Sequence, residues 1–421
     1  MTEQYNKTIL PNGIRLVTER IPTVRSVAFG VWINVGSRRE TLANQGISHF
    51  LEHMIFKGTE KRSALDIALE IESVGGLINA FTGKELTCFY TQMLDENIGI
   101  AIDVLSDITA NSLFLEEEVT KEKSVIIEEI SNLEDTPDEL IHDYFIRELY
   151  PDHPLGYPIM GTRETVLSFS PRDLKELIGK RYSADKVVIA AAGNLEHKQL
   201  CGMVEDAFSF PKPSEPTPEP GLPALPSGRK LWRRTNNQAH IIIGTRSFSY
   251  ADDRKYPFFV MNTILGGGMS SRLFQVIREQ YGYAYAVYTF NESHIDTGLF
   301  GVYIGTDKNR IDDVIGLAIS EFDKIMRVKI ADDEIDRIKA QLKGNLMLGL
   351  ESTSSRMYRL AKMEVHLNKF ITLDDTINKI NQVTAEQVLE TANELLTPDN
   401  LLSVIFTPSE EKHDNRNTQG N

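Results

Sequence analysis

Two hydrophobic patterns alternate along the chain. Short runs dense in β-branched and aromatic residues, SVAFGVWINV (residues 26–35), LTCFYTQM (86–93) and VVIAAAG (187–193), have the make-up of strands. Between them apolar residues recur at the three- and four-residue spacing of helices. SALDIALEIESVGG (63–76) begins at a serine suited to N-capping and stops at a glycine pair, so a helix with both ends marked is predicted there. The later part of the chain repeats the mixture: AHIIIG from 239, AYAVYTF from 284, GLFGVYIG from 298 and LLSVIF from 401 read as strands, and residues 256–265 and 332–347 as helices. Strands and helices in this order suit an α+β fold better than a regular βαβ alternation. The expectation is two similar-looking domains, each an antiparallel-rich mixed β-sheet with helices packed mainly on one face.

The break between them is compositional. FPKPSEPTPEPGLPALPSGRK (210–230) carries too many prolines for a helix or a central strand and reads as a linker. The expected division is 1–209, the linker 210–230, a second domain 231–408 and a disordered polar tail 409–421. A chain of 421 residues readily supplies two domains of roughly 200 residues. Similar element order in the halves suggests a duplication, although they share little residue identity.

Charge narrows the partners. A net charge of −15 argues against nucleic acid or an anionic membrane and is compatible with basic peptides. No apolar run approaches the length needed to span a bilayer, and MTEQYNKTILPNG lacks the layout of a secretion signal, so the cytoplasm is the expected compartment. Cys88 and Cys201 stand alone and far apart, which leaves histidine and carboxylate as the side chains for any metal.

HFLEH, residues 49–53, concentrates two of nine histidines in one pentapeptide. It lies in ISHFLEHMIF, a stretch free of Gly and Pro, where a helix would stack His49 and His53 on one face with Glu52 beside them. Two neutral imidazoles at about 2.0 Å hold zinc, and a neighbouring carboxylate can take a proton from a water in the open position. The order H-x-x-E-H inverts the more familiar H-E-x-x-H. Composition alone would yield such a pattern in on the order of one in a hundred chains of this length, so a decorated polar helix is the competing reading. A metal site needs a third ligand. In EEEVTKEKSVIIEEISNLE (116–134), Val119, Ile126, Ile130 and Leu133 form a helical stripe. At about 100° per residue Glu122 and Glu129 fall within that stripe or at its edge, and Glu128 faces the opposite way. Carboxylates there need partners, whether a metal, an arginine or a helix cap.

HFLEH followed by the distal glutamate of KEKSVIIEEI resembles the inverted-motif zinc metallopeptidases of the pitrilysin, insulin-degrading enzyme and mitochondrial processing peptidase group. The resemblance implies one zinc ion per chain on His49, His53 and Glu129, Glu52 as general base, and Glu122 as a supporting acid. GGLINAFTGKELTCFY (75–90) is similar to the family segment whose edge strand pairs with extended substrate, with Asn79 and Ala80 in the matching positions. HPLGYPIMGT (153–162) also matches, which favours a structural His153 over a ligand. In GGGMSSRLFQVIREQYGYAYAV (266–287) no Gly-Lys-Ser/Thr follows the glycines, so a phosphate loop is rejected; Arg278 and Tyr285 match residues that hold substrate backbone and stabilise the transition state. Members with all these parts in one chain have four domains. Two domains imply a homodimer enclosing a chamber, with zinc from one copy and Arg278 and Tyr285 from the other. The implied activity is endopeptidase cleavage of peptides or unfolded segments. The alternatives are a non-catalytic structural subunit of the same fold, which would have no use for Glu52, and a zinc hydrolase of non-peptide substrates. Cobalt or manganese would fit the same ligands.

Overall fold

In the computed structural model, which describes residues 4–211 and 220–409, the strand-forming runs assemble into two sheets. Strands β1 (Gln4–Ile9), β2 (Arg15–Arg20), β3 (Ser26–Ile33), β4 (Leu77–Thr82), β5 (Thr87–Leu94) and β6 (Val187–Gly193) lie in the order β1-β2-β6-β3-β5-β4. Strands β7 (Gly228–Arg234), β8 (Ala239–Ser247), β9 (Ala284–Ser293), β10 (Gly298–Thr306) and β11 (Leu402–Pro408) lie in the order β7-β11-β8-β10-β9. With β1 set aside the two orders are the same, and each sheet has its one parallel pair in the same place, β2 with β6 and β7 with β11. Edge strands β4 and β9 therefore occupy equivalent positions.

Strand β7 begins at Gly228, inside the stretch 210–230 expected to be linker, so ordered structure resumes earlier than the proline count suggested. The middle of that stretch, and the expected tail apart from Ser409, lie outside the described residues. Strands β1, β2 and β7 (QYNKTI, RLVTER, GRKLWRR) were not anticipated, because their charged residues hide the alternation that marks a strand.

Helices cover one face of each sheet with residues of the same sequence half. On the first sheet, Phe50, Leu51 and Met54 of the helix Ile47–Ile55 and Val119 and Ile126 of the helix Glu116–Glu134 join Phe29, Val31 and Phe89 in one core. The second face of each sheet is closed by an exchange between the halves. The helix Thr353–Leu367 from the second half lays Met357, Leu360 and Ala361 against Ala28, Trp32, Val188 and Ala190 of the first sheet. The helix Pro137–Leu149 from the first half lays Leu140, Ile141 and Phe145 against Ile242, Val404 and Phe406 of the second. Small residues allow the close approach: a Cβ on Gly30 would sit 3.0 Å from Met357 Sδ. Buried charge pairs hold the first of these contacts, Glu364 with Lys7 (2.8 Å) and Arg15 (3.1 Å), and Glu19 with Arg356.

The equivalent edge hairpins are also fastened to each other. Arg38, buried, donates to Asp296 Oδ1 (2.8 Å) and Oδ2 (2.6 Å) in the β9–β10 turn and to Glu85 Oε1 (2.7 Å) in the β4–β5 turn. Ile295 N–H donates to Glu85 across the same junction at 3.1 Å.

Candidate active site

The helix Ile47–Ile55 packs on the helix Glu116–Glu134 through the apolar residues named above, and this sets three polar side chains against one another. His49 and His53, one turn apart, have ring centroids 4.6 Å apart. Glu129 Oε2 lies 3.9 Å from His49 Nε2 and 3.7 Å from His53 Nε2. One ligand atom from each of the three falls within 4.8 Å of the others, the one such cluster of metal-ligating side chains among the described residues. Glu122 is buried, Glu129 half-buried and Glu128 exposed, so Glu128 is the one that faces away from the stripe.

Electrostatics prepare the imidazoles. His53 Nδ1 is 2.8 Å from Glu122 Oε1, and Glu122 Oε2 is 2.6 Å from Lys57 Nζ. That bond assigns the proton to Nδ1 and leaves the Nε2 lone pair facing the cluster. Burial raises the Glu122 carboxyl, but the His53 and Lys57 hydrogen bonds outweigh it and hold the group below the usual carboxylate range. Burial, reinforced by His53, pushes His49 down to about 4, so its ring is neutral at ordinary pH. His49 Nδ1 is buried without a hydrogen-bond partner among the described residues, and Nε2 is the nitrogen that faces Glu129. Burial lowers His53, but the Glu122 hydrogen bond and the charges of Glu129, Glu122 and Glu52 outweigh it and raise its pKa, so an ion there displaces a proton from that ring. Two imidazoles and one carboxylate converging on a point are the donor set zinc takes, so these residues fit the ion. Glu52 points beside them. Its Oε2 is buried with no hydrogen-bond partner among the described residues, and burial raises its pKa against the opposing effects of Thr82 and His53.

Strand β4 borders this cluster. Among the described residues it pairs only with β5, at the edge of its sheet, and Thr82 Oγ1 at its end donates to Ser48 O in the histidine helix at 3.4 Å. Asn79 is exposed and Ala80 half-buried on this strand, with Ala80 N–H bonded to Asn79 Oδ1 at 2.8 Å. A cavity of about 240 Å³ opens next to the Glu129 helix, walled by Leu133, Leu140, Tyr144 and Met160. Asp143 lines it and has no hydrogen bond or ion pair among the described residues, and burial raises its carboxyl. Lys84 is on the same wall, its ammonium donating to Tyr157 O at 2.5 Å.

Arg278 and Tyr285 are not brought to this cluster. The Arg278 guanidinium lies over the Phe274 ring at 4.9 Å, and Tyr285 stands half-exposed on edge strand β9, its ring packed over Gly305. His153 is also apart from it: it caps a short turn, accepting from Leu155 N–H at 3.2 Å. Lys57 and Arg38 escaped sequence reasoning, since an ion-pair partner distant in sequence leaves no local pattern; Glu40 escaped it too, because its partners are backbone amides.

The chain also matches known proteins over most of its length. Residues 15–163 match the family profile described as Insulinase (Peptidase family M16), and residues 168–342 match the profile Peptidase M16 inactive domain. The chain is 42% identical to an uncharacterized zinc protease of Streptomyces coelicolor, over 95% of this chain and 89% of that one. It is 43% identical to the uncharacterized zinc protease YmxG of Bacillus subtilis, over 94% and 96%. Among solved structures, a protease from Helicobacter pylori superposes with a TM-score of 0.89 at 20% identity, covering 97% of this chain and all (100%) of that one. A chain of complex III2 from Candida albicans superposes with a TM-score of 0.84 at 22% identity, covering 96% and 95%.

Proposed function

The chain belongs to peptidase family M16, and from that premise we propose that it is a zinc-dependent endopeptidase cutting extended peptides or unfolded segments inside a chamber built by two copies of the chain. The observation that carries this reading is the convergence of His49 Nε2, His53 Nε2 and Glu129 Oε2 beside a carboxylate with a free oxygen.

Those three side chains would hold one zinc ion per chain. When bound, zinc supplies Lewis acidity toward a carbonyl and toward a water. Glu52 takes the proton of the attacking water and returns it to the leaving amine. Glu122, steadied by Lys57, fixes the tautomer and orientation of His53. Strand β4, through Asn79 and Ala80, receives substrate by backbone pairing, which accepts many sequences. A preference for basic peptides rests on the net charge of −15, since Asp143 shares its cavity with Lys84, Arg147 and Arg163. Arg278 and Tyr285, both exposed, act from the second copy on the developing oxyanion. No helix among the described residues is long and apolar enough to cross a membrane, and we assign the activity to the cytoplasm.

The fold shared with a complex III2 chain favours one rival, a structural subunit without catalysis. Glu52→Gln separates the two: the expected variant binds zinc as the parent does and loses hydrolysis of a quenched peptide, while Glu129→Gln loses zinc. A Glu52→Gln chain as active as the parent, or a parent that binds zinc and cuts no member of a peptide library, would refute the peptidase reading. Mixing inactive His49→Ala with inactive Arg278→Ala chains should restore activity. None in mixed dimers that demonstrably form would refute shared sites.

A further inference from the structure

The helix that carries His49 and His53 begins in an unusual way. Its first amides need acceptors, normally supplied by a Ser, Thr, Asp or Asn at the N-cap. Here the N-cap is Gly46 at φ 92°, with no side chain to offer. Glycine is required for two reasons: the left-handed backbone, and the Met160 carbonyl, which would lie 2.5 Å from a Cβ at this position. The usual cap is therefore excluded by the segment packed over it.

Glu40 takes its place from six residues upstream. Its Oε2 accepts from Gly46 N–H at 2.7 Å and its Oε1 from Ser48 N–H at 2.8 Å, so one carboxylate spans the helix entrance immediately before His49. Glu40 is 4% exposed and has no salt bridge among the described residues. Burial pushes the Glu40 carboxyl up to about 7 against the pull of the Ser48 and Gly46 amides, so what it supplies to the helix entrance is a pair of hydrogen-bond acceptors held in place by packing. The backbone behind it is also held. Glu40 N–H donates to Ser37 O at 3.1 Å, and Arg38 N–H to Lys84 O at 2.7 Å. Arg38 is the same residue whose guanidinium joins the two edge hairpins.

We propose that Glu40 is a positioning residue that fixes the register of His49 and His53 against Glu129. The inference rests on the zinc reading given above. Metal ligands tolerate displacements of only about 0.5 Å before affinity falls, and a frayed first turn moves His49 by more.

The test uses the full chain with Glu40→Gln, which keeps one acceptor, and Glu40→Ala, which keeps none. Glu364→Gln, at a buried carboxylate on the far face of the first sheet, is the control for general destabilisation. Hydrogen exchange of the metal-free chains should quicken at residues 46–50 by at least about fivefold in Glu40→Ala and less in Glu40→Gln, without change there in Glu364→Gln. Zinc affinity by chelator competition should fall in the same order, by about tenfold or more in Glu40→Ala. The cobalt-loaded absorption spectrum should shift in the Glu40 variants alone. Parent-like exchange at 46–50, or parent-like zinc affinity, in both Glu40 variants would overturn the proposal, as would equal effects in Glu364→Gln. If the parent itself bound no zinc, the functional reading would fall, and exchange alone would decide whether Glu40 holds the helix.

Discussion

Replacing Glu122 by glutamine should weaken zinc binding without touching the chemistry. Glu122 contacts no ligand position directly; it acts through His53 Nδ1 at 2.8 Å and is balanced by Lys57 at 2.6 Å. A glutamine of the same shape loses the charge. Either its oxygen accepts from His53 and its amide faces the Lys57 ammonium, or it flips and offers a donor to a nitrogen that must itself donate. Loss of such an outer partner costs about 10- to 100-fold in metal affinity, or about 1.4 to 2.7 kcal/mol. The Lys57 side chain is 30% exposed and recovers water once its partner is neutral, which places the expectation nearer tenfold. Chelator competition at fixed pH and salt reads this directly. Because Glu122 reaches no substrate, kcat/KM at saturating zinc should return to within about threefold of the parent. Parent-like affinity would refute the role given to Glu122. Activity still lost when zinc is saturating would refute its separation from the chemistry.

The buried junction and the exchanged helices carry further expectations. Arg38→Met strands Glu85 beside an unpaired Asp296; breaking a buried pair costs about 3–5 kcal/mol, and the partial exposure of Asp296 lowers the expectation to about 2–3 kcal/mol by urea unfolding. Burial raises the Asp296 carboxyl, but the Arg38 hydrogen bond and charge outweigh it, so its folded pKa lies below the ordinary value. That contribution is present above about pH 4 and is lost as the pH falls through the depressed folded value, so Asp296→Asn should flatten the acid limb of the stability curve. An acid limb unchanged in the variant would contradict this. Phe145→Ala, which empties a fully buried site where the helix Pro137–Leu149 meets the second sheet, should cost about 3–5 kcal/mol in the same assay; a loss under about 1 kcal/mol would show that the exchanged helix is not part of the core.

What could be read from sequence followed the range of the interactions. His49, Glu52 and His53 sit within one helical turn, so their spacing states their geometry. Glu122 and Glu129 were found because an apolar stripe fixes a helix's orientation, and a carboxylate on that stripe stands out. The helix 63–76 was bounded at its start by a real capping box, Ser63 with Asp66. Glu40 gave no such signal, since the reason for its presence is a glycine forced by the Met160 carbonyl, more than a hundred residues further on. The stripes of the helices Pro137–Leu149 and Thr353–Leu367 mark them as packed, but nothing in either stripe says that the sheet it covers belongs to the other half.

That exchange sets a schedule for synthesis. The first sheet has all its strands once Gly193 is made, yet the helix that covers Trp32 and Ala190 begins at Thr353, 160 residues later (353 minus 193). At roughly 5–20 residues per second, the nascent chain carries a bare apolar sheet face for about 8–32 s. During that interval the emerging first half is a client for chaperones, and a ribosome stalled between those two points releases a product with an uncovered sheet, however complete its metal ligands are.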